Sequence, residues 1–238
     1  MLKGKKVVIV GGSSGMGLAG AKAAAEHGAH VIISGRSEEK LNAALEQIKG
    51  KAEAHVGDFT VEESVSAFFD KIGNFDHLVV TAGGRVQPAP FVGTGTSVAR
   101  TVLEGKFWVQ YNVAKHGAKH VNPGGSITLF SGIFSRRPSK GFAALAANNG
   151  AIEALGRALA VELAPIRVNV ISPGLVDTPI YHAMPEEQRK SMFAATAGAL
   201  PVGRIGSPDD VAETILYLMR NGYTTGSVVD VDGGARLA

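Results

Sequence analysis

VVIVGGSSGMG, at Val7–Gly17, is the stretch of sequence that decides the fold. Its β-branched half predicts a buried strand, and its glycines predict a tight turn. A helical pattern, Leu18–His27, follows at once. The order of strand, glycine-rich turn and helix is typical of a dinucleotide site, because backbone amides at a helix N-terminus attract a pyrophosphate. A flexible turn without a ligand is the alternative interpretation.

Each glycine of this turn has an expected task. Gly11 permits the tight turn, Gly15 lets backbone N–H groups approach a pyrophosphate, and Gly17 lets the helix pack closely on the strand. We therefore predict cofactor contacts from Gly11, Ser13, Ser14, Gly15, Met16 and Gly17.

Outward from the turn, short β-branched runs alternate with longer amphipathic stretches, which is typical of βαβ units. The predicted strands are Lys5–Val10, His30–Ser34, Ala54–Gly57, His77–Thr81, Ser126–Phe130, Arg167–Ile171 and Ser227–Val231. The predicted helices are Gly15–His27, Ser37–Lys49, Val61–Lys71, Ser97–His120, Gly141–Ala164 and Ser207–Arg220. The segment Asp177–Pro201 has no strand pattern, and we expect a mobile excursion there.

These elements predict an α/β fold. We expect one Rossmann-like, doubly wound domain over residues 1–238. Its central parallel sheet has about seven strands, with helices covering both faces. The mostly apolar strands support this prediction, since a parallel sheet is buried on both sides.

The composition excludes several kinds of chemistry. The sequence contains no Cys, so disulfides, thiolate nucleophiles and Cys-ligated metals are excluded. The first apolar run is too short for a signal peptide or a membrane span, and we expect a cytoplasmic protein with no membrane partner. A net charge of +3 over scattered Lys and Arg favours a small phosphate-bearing ligand over nucleic acid. His116 and His120 have a zinc-compatible spacing, but no acid follows the first, and we expect no metal.

The end of the second strand indicates which dinucleotide binds. An acidic residue here would hydrogen-bond the ribose hydroxyls of NAD. The chain instead reads Ile33-Ser34-Gly35-Arg36-Ser37, so no carboxylate repels a 2′-phosphate and the Arg36 guanidinium can pair with it. We predict NADP(H) in preference to NAD(H), with contacts from Arg36 and Ser37. A solvated Arg36 near a helix start is the alternative.

Further motifs follow the glycine-rich turn in a fixed order. They are Gly57-Asp58-Phe59-Thr60, Val80-Thr81-Ala82-Gly83, Arg167-Val168-Asn169 with Ser172–Thr178, and Gly203–Val211 with Gly226–Gly234. With the spacing of the first glycines, they resemble the short-chain dehydrogenase/reductase family over nearly the whole chain. The resemblance implies a homodimer or homotetramer formed through the two long helices around the fifth strand. The apolar circumference of Gly141–Ala164 agrees with such a contact.

The resemblance also implies further cofactor contacts, namely Asp58, Phe59, Thr81, Ala82, Gly83, Pro173, Gly174, Val176 and Thr178. Asp58 matches the family's acid that hydrogen-bonds the adenine amino group. Thr81 stands at a strand end where the family has an Asn beside the cofactor. In the family, the Val backbone and the Thr hydroxyl after the Pro-Gly pair hold the nicotinamide amide.

The family's catalytic groups are largely missing from this chain. That chemistry depends on an Asn, a Ser, and a Tyr followed four residues later by Lys, one helical turn apart. The resemblance places Leu145 at the Tyr position and Asn149 at the Lys position. The Ser position falls on Gly132 or, with a one-residue gap, on Ser131, which alone has a hydroxyl. The Asn position falls on Val102.

A literal Tyr-x-x-x-Lys occurs at Tyr111 and Lys115, but it precedes the fifth strand. We interpret Tyr111 as a contact between helices or between subunits. It stands among apolar neighbours, Phe107, Trp108 and Val113, which supports this interpretation.

Two functions fit these observations. The first is an atypical NADPH-dependent oxidoreductase that transfers hydride to a small carbonyl or to an activated acceptor such as a dione or quinone, whose product oxyanion needs less help from an acid. Water, Ser131, or Tyr181 and His182 are the candidate proton sources. The second is an NADPH-binding sensor or regulatory module without catalysis. The substrate stays unnamed, because the residues that would contact it lie after Thr178.

Overall fold

A parallel sheet organises the chain in the computed structural model, which describes residues 2–84 and 86–238. Its strands are β1 (Lys6–Val10), β2 (His30–Gly35), β3 (Ala52–Val56), β4 (Phe75–Val80), β5 (Val121–Phe130), β6 (Arg167–Pro173) and β7 (Val228–Val231). Their spatial order is β3-β2-β1-β4-β5-β6-β7, and the described pairings are parallel. The predicted doubly wound α/β fold is confirmed.

Helices cover both faces of the sheet. They are α1 (Gly15–Glu26), α2 (Glu38–Leu45), α3 (Glu62–Ile72), α4 (Thr96–Leu103), α5 (Val109–Gly117), α6 (Ala143–Glu162), α7 (Glu186–Ala199) and α8 (Pro208–Arg220). α8 begins with a capping box in which the Ser207 hydroxyl accepts from the Asp210 amide and the Asp210 carboxylate accepts from the Ser207 amide.

The two cores follow from the pleat of the strands. Successive side chains of a strand point to opposite faces. Val7 and Ile9 therefore join the core beneath α1, α2 and α8, while Val8 and Val10 join the core beneath α3, α5 and α6. All four are at most 1% exposed, and full burial of such a side chain is worth about 1.5–3 kcal/mol.

Two predicted regions need correction. The helix expected over Ser97–His120 is interrupted by a π-helical turn, Glu104–Trp108. The sequence did not predict this turn, because one extra residue in a single turn barely changes the apolar periodicity. The excursion expected over Asp177–Pro201 contains a short 3-10 turn, Pro179–Tyr181, and the helix α7. No residue of α7 is fully buried, so its sequence carries no apolar stripe to mark a helix.

The sheet topology determines where a ligand can bind. The strand order reverses at β1: β2 and β3 extend the sheet on one side of it, and β4 to β7 extend it on the other. Such a switch point opens a crevice at the carboxyl ends of the strands. The residues after β1, β2, β4, β5 and β6 gather at this edge. Within the described parts of the chain, no helix is long and apolar enough to cross a membrane.

Candidate cofactor and active site

The glycine-rich turn after β1 is packed too tightly for side chains. Gly11 has φ +89°, and its amide donates to the Ser34 carbonyl over 2.8 Å. A Cβ at Gly17 would lie 2.3 Å from the Gly11 carbonyl oxygen and 2.6 Å from Thr81 Oγ1. The Thr81 hydroxyl in turn lies 3.1 Å from that same carbonyl and donates to it. The start of α1, the glycine-rich turn and the end of β4 therefore pack directly against one another.

The segment after β6 closes over this turn. A Cβ at Gly15, which has φ +53°, would lie 3.3 Å from Thr178 Cγ2. The Gly174 amide donates to the Val231 carbonyl over 3.0 Å, and Val176 forms a parallel bridge with Gly206. These contacts bring the predicted nicotinamide-binding segment, Pro173 to Thr178, beside the predicted pyrophosphate turn.

Arg36 stands exposed just after β2. It makes no ion pair or hydrogen bond with the described residues. A Cβ at its neighbour Gly35 would lie 3.5 Å from Ser13 Oγ, so the end of β2 approaches the glycine-rich turn. The Ser37 hydroxyl accepts from the Lys40 amide and caps the start of α2. A free guanidinium is thus presented at the edge of the turn.

Asp58 and Phe59 follow β3 and have different environments. The exposed Asp58 carboxylate accepts from the Thr60 amide over 3.0 Å and from the Thr60 hydroxyl over 2.7 Å. These two hydrogen bonds, with a smaller contribution from the charge of Arg36, lower the pKa of Asp58. The Phe59 ring packs edge-on against Phe68 at 5.2 Å and is buried. Only the Asp58 side chain is therefore free to face a ligand.

These residues fit a nicotinamide dinucleotide. The first amides of α1 lack partners within the helix and attract an anion. The glycines beside them leave the backbone bare, and any Cβ at Gly11 or Gly17 would collide with neighbouring backbone. Arg36 would hold a further phosphate, and Asp58 would accept a hydrogen bond from an adenine amino group.

The residues predicted at the family's catalytic positions lie together on α6 and at the end of β5. Leu145 and Asn149 are one turn apart on α6, with Leu145 half-buried and Asn149 only 1% exposed. The Asn149 amide donates to the Gly132 carbonyl over 3.1 Å. A Cβ at Gly132 would lie 3.0 Å from Asn149 Nδ2, so there is little room for a side chain at that position.

Ser131 directs its hydroxyl into the protein. Its Oγ donates to Glu153 Oε1 over 3.1 Å, and Ser131 is 3% exposed. The same carboxylate oxygen accepts from the Ser135 hydroxyl over 2.6 Å, and its other oxygen lies 3.5 Å from Arg136. Arg136 also pairs with Asp230 on β7. This network fixes the turn after β5.

Lys106 is a charged residue of the site that the sequence reasoning missed. It lies in the π turn, and its Nζ donates to the Ser131 carbonyl over 2.6 Å and to Asn149 Oδ1 over 2.8 Å. Burial lowers its pKa to about 8. The sequence held a signal for this residue. Lys106 is a lone cation followed by the apolar run Phe107-Trp108-Val109, and it lies one helical turn after Val102, which the resemblance assigns to the family's Asn position.

The other candidates lie farther from this constellation. The Val102 carbonyl, near the end of α4, accepts from Asn148 Nδ2 over 2.9 Å. The Tyr111 ring packs edge-on against Trp108 at 5.4 Å, three residues earlier on the same helical segment. Lys115 and His116 both contact Glu62. Among residues 2–84 and 86–238, no group of three or more acidic or His side chains could hold a metal ion.

The two loop candidates for the proton source lie at the 3-10 turn after β6. The ring of Tyr181 packs edge-on against Phe193 of α7 at 5.7 Å. His182 follows directly and is exposed. Neither has a described contact with Ser131 or Asn149.

Comparison with known proteins supports the oxidoreductase interpretation. A family described as enoyl-(acyl carrier protein) reductase matches residues 10–236. The short-chain dehydrogenase/reductase ATR9 of Stachybotrys chlorohalonatus is 35% identical, with 99% of this chain and 98% of ATR9 covered. A small-chain dehydrogenase solved in complex with NADPH is 39% identical, with a TM-score of 0.84 over 98% of this chain and 99% of that one. The MalC reductase/Diels-Alderase of Malbranchea aurantiaca is 32% identical, with a TM-score of 0.93 over 100% of this chain and 98% of MalC.

Proposed function

The chain belongs to the short-chain dehydrogenase/reductase family, and on this premise we propose that it is an NADPH-dependent oxidoreductase that works without the family's Tyr and Lys pair. Its acceptor is a small carbonyl compound, or an activated acceptor resembling a dione or a quinone. When bound, the nicotinamide supplies a hydride. The fold supplies the cleft at the carboxyl ends of β1 and β4.

The observation that carries the cofactor preference is the free guanidinium of Arg36. It is exposed at the end of β2, next to the glycine-rich turn, and pairs with no described carboxylate. An acid in this place would favour the ribose hydroxyls of NAD and repel a 2′-phosphate, whereas a guanidinium binds a phosphate through two parallel hydrogen bonds.

The acceptor class follows from the residues at the predicted Tyr and Lys positions. Leu145 carries no proton to donate, and the Asn149 amide is already used by Gly132 and Lys106. Loss of the Tyr acid costs up to about 10²–10⁴ in rate where no other group gives the proton. An acceptor whose product anion is delocalised suffers less from that loss, and diones and quinones have this property.

Self-association is part of the proposal. The aromatic side chains of Trp108 and Tyr111 are 42% and 37% exposed, and Val161 on α6 is 81% exposed. An apolar surface on the two long helices around β5 is suited to a second copy of the chain. We expect a homodimer or homotetramer, which light scattering after size-exclusion chromatography would measure.

Cofactor titration tests the preference directly. NADPH and NADH fluorescence would be titrated against wild type, Arg36→Ala, and the matched control Arg220→Ala, whose exposed Arg lies at the far end of α8. A lost charge-assisted contact is worth about 1.5–3 kcal/mol, so Arg36→Ala should weaken NADPH by about 10- to 100-fold. NADH binding and the control should change little. An unchanged ratio of the two affinities in Arg36→Ala would contradict the proposal.

Turnover is tested separately, by the loss of NADPH absorbance over a panel of diones, quinones and aldehydes. We expect oxidation above that of heat-inactivated protein, fastest with the activated acceptors. Tight NADPH binding without turnover on any acceptor would instead support the NADPH-binding regulatory module.

A further inference from the structure

Lys106 occupies an unusual position in the backbone. It lies at the centre of the π-helical turn between α4 and α5, and π turns inside helices occur frequently at functional sites. The turn directs its side chain to the edge of the sheet. A Cβ at Gly83, just after β4, would lie 3.6 Å from the Lys106 stem. The ammonium contacts the end of β5 and α6 through Ser131 and Asn149.

The ammonium has donor capacity left for a ligand. It carries three N–H groups, and two of them serve the Ser131 carbonyl and Asn149 Oδ1. No described carboxylate forms an ion pair with it. The acid of the neighbouring network, Glu153, is engaged by Ser131, Ser135 and Arg136. A half-buried cation with one open N–H therefore lies beside Gly83, a predicted cofactor contact.

The position of this ammonium relates to the catalytic positions on α6. Its Nζ lies 2.8 Å from the side chain of Asn149, which stands where the family has its Lys. A cation is thus present near the family's lysine position, but it comes from the opposite side, from the helix before β5. Asn149 holds it in place, since its own amide is fixed by the Gly132 carbonyl.

We propose that Lys106 is the proton donor of this active site, an inference that rests on the proposed function. The substrate class is a carbonyl compound whose oxygen accepts a hydrogen bond from the open N–H of Lys106. In the reaction, a C–H bond forms with the hydride of NADPH and the carbonyl π bond breaks, so the acceptor is reduced and NADPH is oxidised to NADP⁺. Lys106 gives its proton to the carbonyl oxygen and, as a neutral amine, regains one from water.

The protonation behaviour of Lys106 agrees with this role. Burial lowers its pKa to about 8, and a general acid is most effective when its pKa lies near the working pH. Charged and titratable groups on the elements packed around it are Arg100, Glu104, Tyr111, Lys115, His116, Glu153, Arg157 and Glu162, with Arg136 in the turn after β5. Burial, not these groups, causes the shift of its pKa. Arg85, in the segment after β4, lies outside the described residues.

The other candidate donors are less suited by their contacts. The Ser131 hydroxyl is directed at Glu153 and not toward Asn149 or Lys106. Tyr181 packs against Phe193 and His182 is exposed at the turn after β6. Lys106 lies beside Gly83 after β4 and joins the end of β5 to α6.

Three variants distinguish proton donation by Lys106 from stabilisation by its positive charge. Lys106→Met removes both, Lys106→Arg keeps the charge but does not release a proton near neutral pH, and Lys119→Met is a matched control on an exposed lysine after α5. We expect both Lys106 variants to lose about 10²–10⁴-fold in single-turnover rate, with NADPH still bound. The control should match wild type. An active Lys106→Arg would overturn proton donation and leave a purely electrostatic role.

The pH profile adds a readout that a structural role would not move. The wild-type rate should fall above a pH of about 8, as Lys106 loses its proton. In Asn149→Asp, a carboxylate beside the ammonium should move that alkaline limb upward by about one pH unit or more. A limb that stays in place would overturn the assignment.

A measurement on the protein without substrate keeps the proposal testable even if Lys106→Met fails to fold. Heteronuclear NMR of the lysine side-chain nitrogens should show one residue, absent in Lys106→Arg, that titrates near a pH of about 8. Titration of Lys106 in the ordinary lysine range would overturn the proposal. Failure of the proposed function is distinct from this, because it would show as a wild type that turns over no acceptor.

Discussion

Gly17 provides a sharp test of the cofactor turn. A Cβ there would lie 2.3 Å from the Gly11 carbonyl oxygen and 2.6 Å from Thr81 Oγ1. The first of these is a backbone atom that no side-chain rotation can move. In Gly17→Ala, the start of α1 must therefore shift away from the turn and from the end of β4.

Two opposing effects set the size of the change. Ala stabilises a helix over Gly by about 0.5–1 kcal/mol, and at the first turn of α1 this is an upper limit. Overpacking costs about 1–3 kcal/mol when the neighbours are rigid. The clash wins, so Gly17→Ala should lower the free energy of unfolding by about 1–2 kcal/mol, or the melting temperature by about 2–4 °C per kcal/mol. NADPH affinity should fall too, because the displaced amides form the proposed pyrophosphate site.

Urea unfolding at a fixed protein concentration measures the stability, and fluorescence titration measures NADPH binding. The matched control is Gly198→Ala on α7, where a Cβ would meet nothing within 4 Å. This variant should be as stable as wild type or slightly more stable, with unchanged binding. Identical behaviour of Gly17→Ala and Gly198→Ala in both measurements would show that the turn has room for a side chain at Gly17.

The remaining predictions concern α6 and a buried histidine. Leu145→Tyr with Asn149→Lys places the family's pair at the positions that the resemblance assigns to it. This double variant should not raise activity on simple ketones while Lys106 is present, because the new ammonium would lie close to that of Lys106, which is now 2.8 Å from Asn149 Oδ1. Adding Lys106→Val should raise the rate of NADPH oxidation with a simple ketone, and no gain from the triple variant would contradict the assignment of the two positions. Burial lowers the pKa of His77, whose ring lies 2.9 Å from Ser126 Oγ, from 6.5 to about 4. The folded state then binds fewer protons than the unfolded state, so this contribution is present above pH 6.5 and is lost as the pH falls toward about 4. Between a pH of about 7 and about 5, wild type should lose about 2 kcal/mol more unfolding free energy than His77→Gln, and equal losses would show that His77 titrates normally.

The fold could be predicted from local patterns, and the contrast between β1 and α7 shows why. Val7 to Val10 are buried on both faces of the sheet, so the sequence of this strand is an unbroken apolar run. The glycines that follow it lie at the switch point of the sheet. α7 buries none of its residues completely, and without an apolar stripe its helix has no periodic signal.

The active site was only partly predictable, because its contacts join residues far apart in the chain. The resemblance assigned Leu145 and Asn149 by their place on one helix. Lys106 reaches Asn149 across 43 positions of sequence, through a π turn that helical periodicity does not reveal. The direction of the Ser131 hydroxyl likewise depends on Glu153, a residue without any motif of its own.

Isotope transfer tests the central claim most directly. The wild-type protein would be given NADPH deuterated at the transferable position of the nicotinamide, together with the best aldehyde or dione of the panel, and the mass of the product would be measured by mass spectrometry. The proposed function predicts a product that carries one deuterium on the former carbonyl carbon, in step with NADPH oxidation. A reduced product without deuterium, or oxidation of NADPH no faster than with heat-inactivated protein, would contradict it.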